Sequence, residues 1–303
     1  MKVFVAGASG AIGLPLVRQL TAAGHEVVGS TRGGSGAAKI HEAGGIAVPC
    51  DVFDREQIVE VVTRAAPEVV INQLTSLPQR FEPKKKGFYD ANNRIRTEGG
   101  DNVIEATAAS GASRLITQSI SFLYELSGPK IKTEDEPVDR SGMHNAVLSH
   151  EQKVLGDDRF EGVVLRYGLL YGPGTWYARD GHTCEEVRKR RLPIVGDGAG
   201  ISSFVHVDDA ASAAISALDR GQGIFNATDD EPAPMNEWLP VLAEALGAKP
   251  PRKVPAWLAA MVAGKPVVRQ ATDGRGASNA RFKATTGWKP SHPSWRQGFF
   301  DAI

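Results

Sequence analysis

The strongest constraint is the stretch Gly7-Ala8-Ser9-Gly10-Ala11-Ile12-Gly13. It stands between an apolar run, Lys2–Ala6, and a segment of helical spacing, Ile12–Ala23, with Ile12, Leu16, Val17 and Leu20 on one side and Gly24 closing it. Strand, Gly-x-x-Gly-x-x-Gly turn and helix in that order form a phosphate-binding βαβ entry. The glycines allow a tight turn, close approach of the backbone to phosphate and close helix–sheet packing. A pyrophosphate there meets free N–H groups at the positive end of the helix dipole.

The alternation continues. Strands are expected at His25–Ser30, Ile46–Pro49, Val69–Asn72, Arg114–Gln118 and Gly162–Arg166, and helices at Ala37–Ala43, Arg55–Ala65, Thr97–Ser110 and Ala146–Leu155. Continuous apolar strands between helices imply a parallel sheet covered on both faces, the doubly wound α/β (Rossmann) plan. From Tyr171 onward Gly and Pro thicken, and two further strands (Ser203–Val207, Ile224–Asn226) flank an Ala-rich helix, Asp208–Leu218. The expected division is a dinucleotide-binding domain over residues 1–170, with 203–227 returning to it, and a smaller, mostly substrate-binding region over 171–303. Trp238, Trp257, Trp288 and Trp295 read as core or helix-packing residues.

Composition narrows the partners. Thirty-five basic residues balance thirty-five acidic ones, which gives no electrostatic case for nucleic acid or an anionic membrane. Lys84-Lys85-Lys86 reads as a solvated loop. Cys50 and Cys184 are too far apart in sequence for a metal or disulfide framework, so no metal is expected and a reducing, cytoplasmic setting is. No apolar run approaches a membrane span.

The end of the second strand selects the cofactor. It reads Gly29-Ser30-Thr31-Arg32, without the carboxylate that usually holds the ribose hydroxyls of NAD. Arg32 can fork onto a 2′-phosphate and Thr31 can donate to it, which favours NADP(H) over NAD(H). Asp51-Val52, after the third strand, fits adenine, and Gln73, Leu74 and Thr75, after the fourth, the cofactor ribose. Tyr167, Gly168 and Leu169 follow the sixth strand beneath the expected nicotinamide. Trp176, Tyr177, Arg179 and Ser202 border the expected substrate pocket.

The Gly7–Gly13 turn, Asp51, Ser119-Ile120-Ser121 with Tyr124, Leu165-Arg166 leading to Tyr171-Gly172-Pro173-Gly174, and Phe204-Val205-His206-Val207-Asp208-Asp209-Ala210-Ala211 together resemble the short-chain dehydrogenase/reductase superfamily, in its extended NAD(P)-dependent epimerase/dehydratase-like branch. The resemblance covers nearly the whole chain. It implies an oxidoreductase or epimerase acting on a small hydroxy or carbonyl compound. It also implies a reaction centre of Ser/Thr, Tyr and Lys, with Tyr and Lys four residues apart on one helix face.

That pair is missing. Four residues after Tyr89, Tyr124, Tyr167, Tyr171 and Tyr177 stand Asn93, Gly128, Tyr171, Thr175 and Gly181. With Glu151 aligned to the glutamate that often follows the family lysine, Met143 takes the Tyr place and Val147 the Lys place. The usual hydroxyl position falls on Ile120. Ser119, Ser121, Tyr124 and His144 remain as candidate catalytic residues, Ser119 also lying against the cofactor. His206 and Asp208 read as structural. Three functions stay open: an NADP(H)-dependent oxidoreductase or epimerase, a non-catalytic NADP(H) sensor, and a lyase, dehydratase or isomerase using the cofactor transiently or structurally. The resemblance also implies a possible homodimer through a four-helix bundle built from Thr97–Ser110 and Ala146–Leu155.

Overall fold

A computed structural model describes residues 1–302. Seven strands form one parallel sheet: β1 Lys2–Ala6, β2 Glu26–Thr31, β3 Ile46–Pro49, β4 Val69–Asn72, β5 Arg114–Ile120, β6 Glu161–Tyr167 and β7 Gly223–Ala227. Their spatial order is β7-β6-β5-β4-β1-β2-β3, and every neighbouring pair is parallel. The order reverses between β1 and β4, which places the ligand crevice at the carboxyl ends of those two strands.

Alternation within β1 shows why the strands read as unbroken apolar runs. Val3 and Val5 pack with Leu16, Leu20 and Ile40, from helices α1 (Gly13–Ala22) and α2 (Ser35–Glu42). Phe4 and Ala6 pack with Ile58, Val62 and Val103, from α3 (Arg55–Ala65) and α4 (Gly100–Ser110). Both faces are covered, which favours apolar side chains on each. Helix α3 starts where Asp54 Oδ1 accepts the Gln57 amide at 3.1 Å, a cap that satisfies one of the helix's orphan donors. Helix α5 (Asn145–Gly156) lies against β5 and β6.

The second half is built differently. Leu169–Tyr171 and Phe204–His206 pair in parallel outside the main sheet. Helix α6 (Val207–Ser216) then packs on α1, and β7 completes the sheet beside β6. The remaining core gathers around Phe204, Trp238, Leu239, Trp295 and Phe299. Asp209 closes the tail onto α6: its carboxylate accepts from the Ser291 amide (2.6 Å) and hydroxyl (2.6 Å), the His292 amide (2.9 Å) and His292 Nδ1 (2.9 Å). His206, Asp209 and His292 bring ligand atoms within 4.8 Å of one another, a grouping sequence spacing does not announce. Asp209 spends it on the tail, and the ring of His206 lies 4.0 Å from that of His292.

Two expectations need revision, and the tail adds elements of its own. The helix placed at Thr97–Ser110 begins earlier, as Asp90–Arg94 followed by a π-helical turn, Ile95–Gly99, before α4. The tail holds helices Lys265–Asp273, Ala280–Thr286 and Trp295–Ala302. Trp257 is 68% exposed on helix Ala256–Ala263, while Trp238, Trp288 and Trp295 are buried. No helix among the described residues is long and apolar enough to cross a membrane.

Candidate active site

The opening turn is fixed by sterics. Gly7 has φ +80°, and a Cβ there would lie 2.9 Å from the Gln73 carbonyl oxygen. A Cβ on Gly13 would lie 2.2 Å from the Gly7 carbonyl oxygen. Glycine is therefore required at both positions. At Gly10 an added Cβ meets only the Gly7 oxygen, at 3.3 Å. Among the described residues the amides of Ala11 and Ile12 find no backbone acceptor. An anion-sized cradle with free donors at a helix start fits a dinucleotide pyrophosphate.

Ser9 reaches from this turn to the end of β2, where its Oγ lies 3.3 Å from Thr31 Oγ1. Thr31 is buried and Arg32 exposed. Helix α2 begins three residues later, at Ser35. Asp51 Oδ1 accepts the Phe53 amide at 3.0 Å, and the Val52 carbonyl accepts from Asn102 Nδ2 at 2.9 Å. After β4, Gln73 Nε2 donates to the Tyr167 hydroxyl at 3.3 Å, the Leu74 carbonyl accepts from Gln118 Nε2 at 2.8 Å, and Thr75 is exposed. The Tyr167 hydroxyl donates to the Ala210 carbonyl at 3.0 Å, so its ring ties the sheet to α6. The Gly168 and Leu169 amides are taken by the Ala227 carbonyl (3.4 Å) and the Ser203 carbonyl (2.8 Å).

Below the reaction edge lies a buried polar network. Arg166 grips Glu151 with two prongs, Nε to Oε1 at 2.9 Å and Nη2 to Oε2 at 2.6 Å. Its Nη1 donates to the Tyr124 hydroxyl at 3.0 Å, which in turn donates to Asn226 Oδ1 at 2.8 Å. The Ser119 hydroxyl donates to Glu151 Oε1. Burial pushes the Tyr124 phenol up from its usual value, although Arg166 and Asn226 oppose it. Ser119 and Tyr124 thus spend their hydroxyls on the scaffold. Ser121 differs: its amide donates to the Tyr167 carbonyl at 2.8 Å, and its hydroxyl stands outside the Glu151–Arg166 network. His144, half-buried, keeps Nδ1 3.3 Å from the Asp139 carbonyl oxygen. Val147 is buried, and the side chain of Met143 lies outside the described residues.

On the substrate side, Trp176 Nε1 donates to the Pro78 carbonyl at 2.8 Å. Its ring sits 5.1 Å from Phe81 and 6.4 Å from Phe88, so it clamps the loop after β4. Tyr177 turns inward onto Phe204 (5.7 Å) and Trp238 (6.2 Å), and burial raises its phenol pKa. Arg179 is exposed, and Ser202 half-buried on the short strand Ile201–Ser202. Sequence reading missed Arg96, Asn226 and Arg275, and named Glu151 and Arg166 without anticipating that they pair. The one available signal was a charged residue closing the apolar run Val163–Leu165.

The model of the family described as NAD dependent epimerase/dehydratase matches residues 3–228. The chain is 46% identical to a 3-diazoavenalumate denitrifying reductase from a Streptomyces species, over 98% of this chain and 99% of the relative. It is 29% identical to a 2-alkyl-3-oxoalkanoate reductase from Stenotrophomonas maltophilia, over 82% and 76% of the two chains. Among solved structures, a UDP-glucose 4-epimerase from Thermotoga maritima superposes with TM-score 0.80 at 20% identity, covering 100% of this chain and 97% of the other. The Thermus thermophilus UDP-glucose 4-epimerase, solved with NAD, gives 0.78 at 24% identity, with coverage of 100% and 97%. Sequence, fold and turn geometry agree, and the chain is an enzyme of the NAD dependent epimerase/dehydratase family.

Proposed function

We propose that the protein is an NADP(H)-dependent reductase whose substrate accepts hydride without help from a protein acid, and that this substrate is an aromatic diazo compound carrying a carboxylate. The observation that carries the reading is the identity of the three positions where the family keeps its acid–base groups: Ile120, Met143 and Val147. Of the nearby hydroxyls, those of Ser119 and Tyr124 are engaged in the Glu151–Arg166 network.

A bound nicotinamide dinucleotide supplies a hydride at the carboxyl edge of the sheet. Reducing a carbonyl there leaves an alkoxide that needs a proton, and general acid help is worth ~10²–10⁴-fold. An epimerase needs the same group in both directions. An aryldiazonium ion would have no such need: a hydride would form a new C–H bond at the ring carbon as its C–N bond breaks and N2 leaves, and the positive charge would pass to the cofactor. No net proton moves. The name of the Streptomyces relative couples a diazo compound, reduction and loss of nitrogen, and supports this reading over epimerisation.

The chain's own residues take the remaining roles. Ser9, Thr31, the exposed Arg32 and the start of α2 gather where an adenosine 2′-phosphate would lie, and no carboxylate closes β2. Ser121 offers a hydroxyl outside that network to the reacting group. Trp176 with Phe81 supplies an aromatic wall. Arg275, half-buried beside the Ile201–Ser202 strand, has a buried Nε with no acceptor among the described residues and would receive the carboxylate. Dimerisation through α4 and α5 is part of the same proposal: the ion pair Lys153–Asp101 (2.6 Å) ties the two helices together, Arg159 just after α5 pairs with Glu105 of α4 (2.9 Å), and light scattering decides it.

The test offers NADPH with a panel of aryldiazonium acids and matched aryl aldehydes. NADPH oxidation with the diazonium acids and N2 release is the expected result. Oxidation with the aldehydes alone would refute the proposal.

A further inference from the structure

A buried cation lies at the edge of the dinucleotide crevice, and none of the roles above uses it. Arg96 belongs to the π-helical turn Ile95–Gly99 and is 6% exposed. Such widened turns often persist where they aim a side chain at a functional site. Its guanidinium makes one long hydrogen bond, Nη1 to the Gln118 carbonyl oxygen at 3.4 Å, and its Nε is buried without a partner among the described residues. Gln118 in turn holds the Leu74 carbonyl. The Arg96 side chain therefore ends near the carboxyl edge of β4 and β5, where a doubly wound sheet of this order receives its ligand.

The charge around it does not cancel. Glu151 is the neighbouring anion whose field favours the Arg96 cation, but its oxygens are held by Arg166 and Ser119. Burial lowers Arg96 to about 10, which leaves it protonated at neutral pH. His150 is pushed down to about 3, by burial first and then by the charges of Arg96 and Lys153, so it is neutral. Arg96 and Arg166 against Glu151 leave one buried positive charge, and a buried charge without a partner is costly.

We propose that Arg96 is a cofactor-positioning residue that takes over the place of the missing lysine: its guanidinium donates to the hydroxyls of the nicotinamide ribose, and its charge favours the neutral, reduced ring over the oxidised cation. The enzyme then holds NADPH and releases NADP+, a bias suited to reduction. This rests on a nicotinamide dinucleotide occupying the crevice, and not on which acceptor is reduced.

The test is binding, read by calorimetry on the full-length protein. NADPH, NADP+ and 2′,5′-ADP, which has no nicotinamide riboside, are titrated into wild type, Arg96→Met and Arg96→Lys. Arg96→Met should weaken NADPH about tenfold, the size of a charged hydrogen bond, and shrink the preference for NADPH over NADP+, with 2′,5′-ADP binding unchanged. Arg96→Lys should keep the preference, since it keeps the charge. An Arg96→Met protein with wild-type affinities for both redox forms overturns the proposal. If Arg96→Met also loses 2′,5′-ADP, its fold has failed and Arg96→Lys decides: loss of the redox preference in that variant overturns the proposal. Wild type that binds none of the three ligands refutes the dinucleotide reading itself.

Discussion

Glu151 on α5 and Arg166 at the end of β6 meet in a two-pronged ion pair, with side chains only 4% and 3% exposed. The pair fixes α5 to the sheet and also holds Ser119 and Tyr124. Removing one partner strands a charge in the core, which costs about 3–5 kcal/mol. Glu151→Ala, which leaves Arg166 without its anion, should lower the unfolding free energy by that amount, seen as a lower urea midpoint at an unchanged slope. A variant as stable as wild type would show that the pair does not hold this part of the core.

Arg32 is exposed beside Thr31 and Ser9. Charge-assisted bonds to a 2′-phosphate are worth about 1.5–3 kcal/mol. Arg32→Ala is therefore expected to weaken NADPH by roughly ten- to a hundredfold and to leave NADH nearly untouched. Equal losses for the two cofactors would remove the basis for preferring NADP(H).

His150 gives stability a pH dependence. Its ring is buried, with Nε2 2.9 Å from Thr117 Oγ1, and its pKa falls from 6.5 to about 3, chiefly through desolvation. The unfolded chain binds a proton near pH 6.5 that the folded chain refuses. The contribution is fully present above that pH and fades as pH falls from 6.5 toward 3. Chemical denaturation across this window should show stability declining with acid in wild type. In His150→Asn the decline should be shallower, and an identical slope would contradict the assignment.

With no phenol at the Met143 position, the hydride step has no tyrosine to titrate. Its rate in single turnover should stay flat from weakly acid to weakly alkaline pH, and Ser121→Ala should slow it by less than about tenfold, a loss smaller than that of a general acid. A steep loss toward alkaline pH would reveal a protein acid that this account lacks.

Much of this was legible in the sequence. The Gly7–Gly13 turn is legible because Gly7 has a positive φ and Gly13 packs on the Gly7 carbonyl, and the apolar runs of β1 to β6 follow from a sheet buried on both faces. The missing Tyr–Lys pair could be read directly, because it is a statement of spacing. What the sequence hid depends on contacts between distant segments. Glu151 meets Arg166 across 15 residues, and Tyr124 meets Asn226 across 102. Nothing local says that Ser119 donates inward while the Ser121 hydroxyl stays outside the Glu151–Arg166 network. Arg96 carries no mark in the sequence, because a π-turn leaves no composition signal. Trp257 misled for the converse reason: an apolar helix reads as core, yet this one leaves the ring in solvent.

The most direct test of the central claim follows deuterium and nitrogen together. The protein is mixed with NADPH deuterated at its hydride-bearing carbon and an aryldiazonium carboxylate, and cofactor oxidation, N2 and denitrified arene are measured. The account predicts one NADPH oxidised for each N2 released, slowed by the deuterium. N2 release independent of NADPH, or cofactor oxidation that only a carbonyl compound elicits, would contradict it.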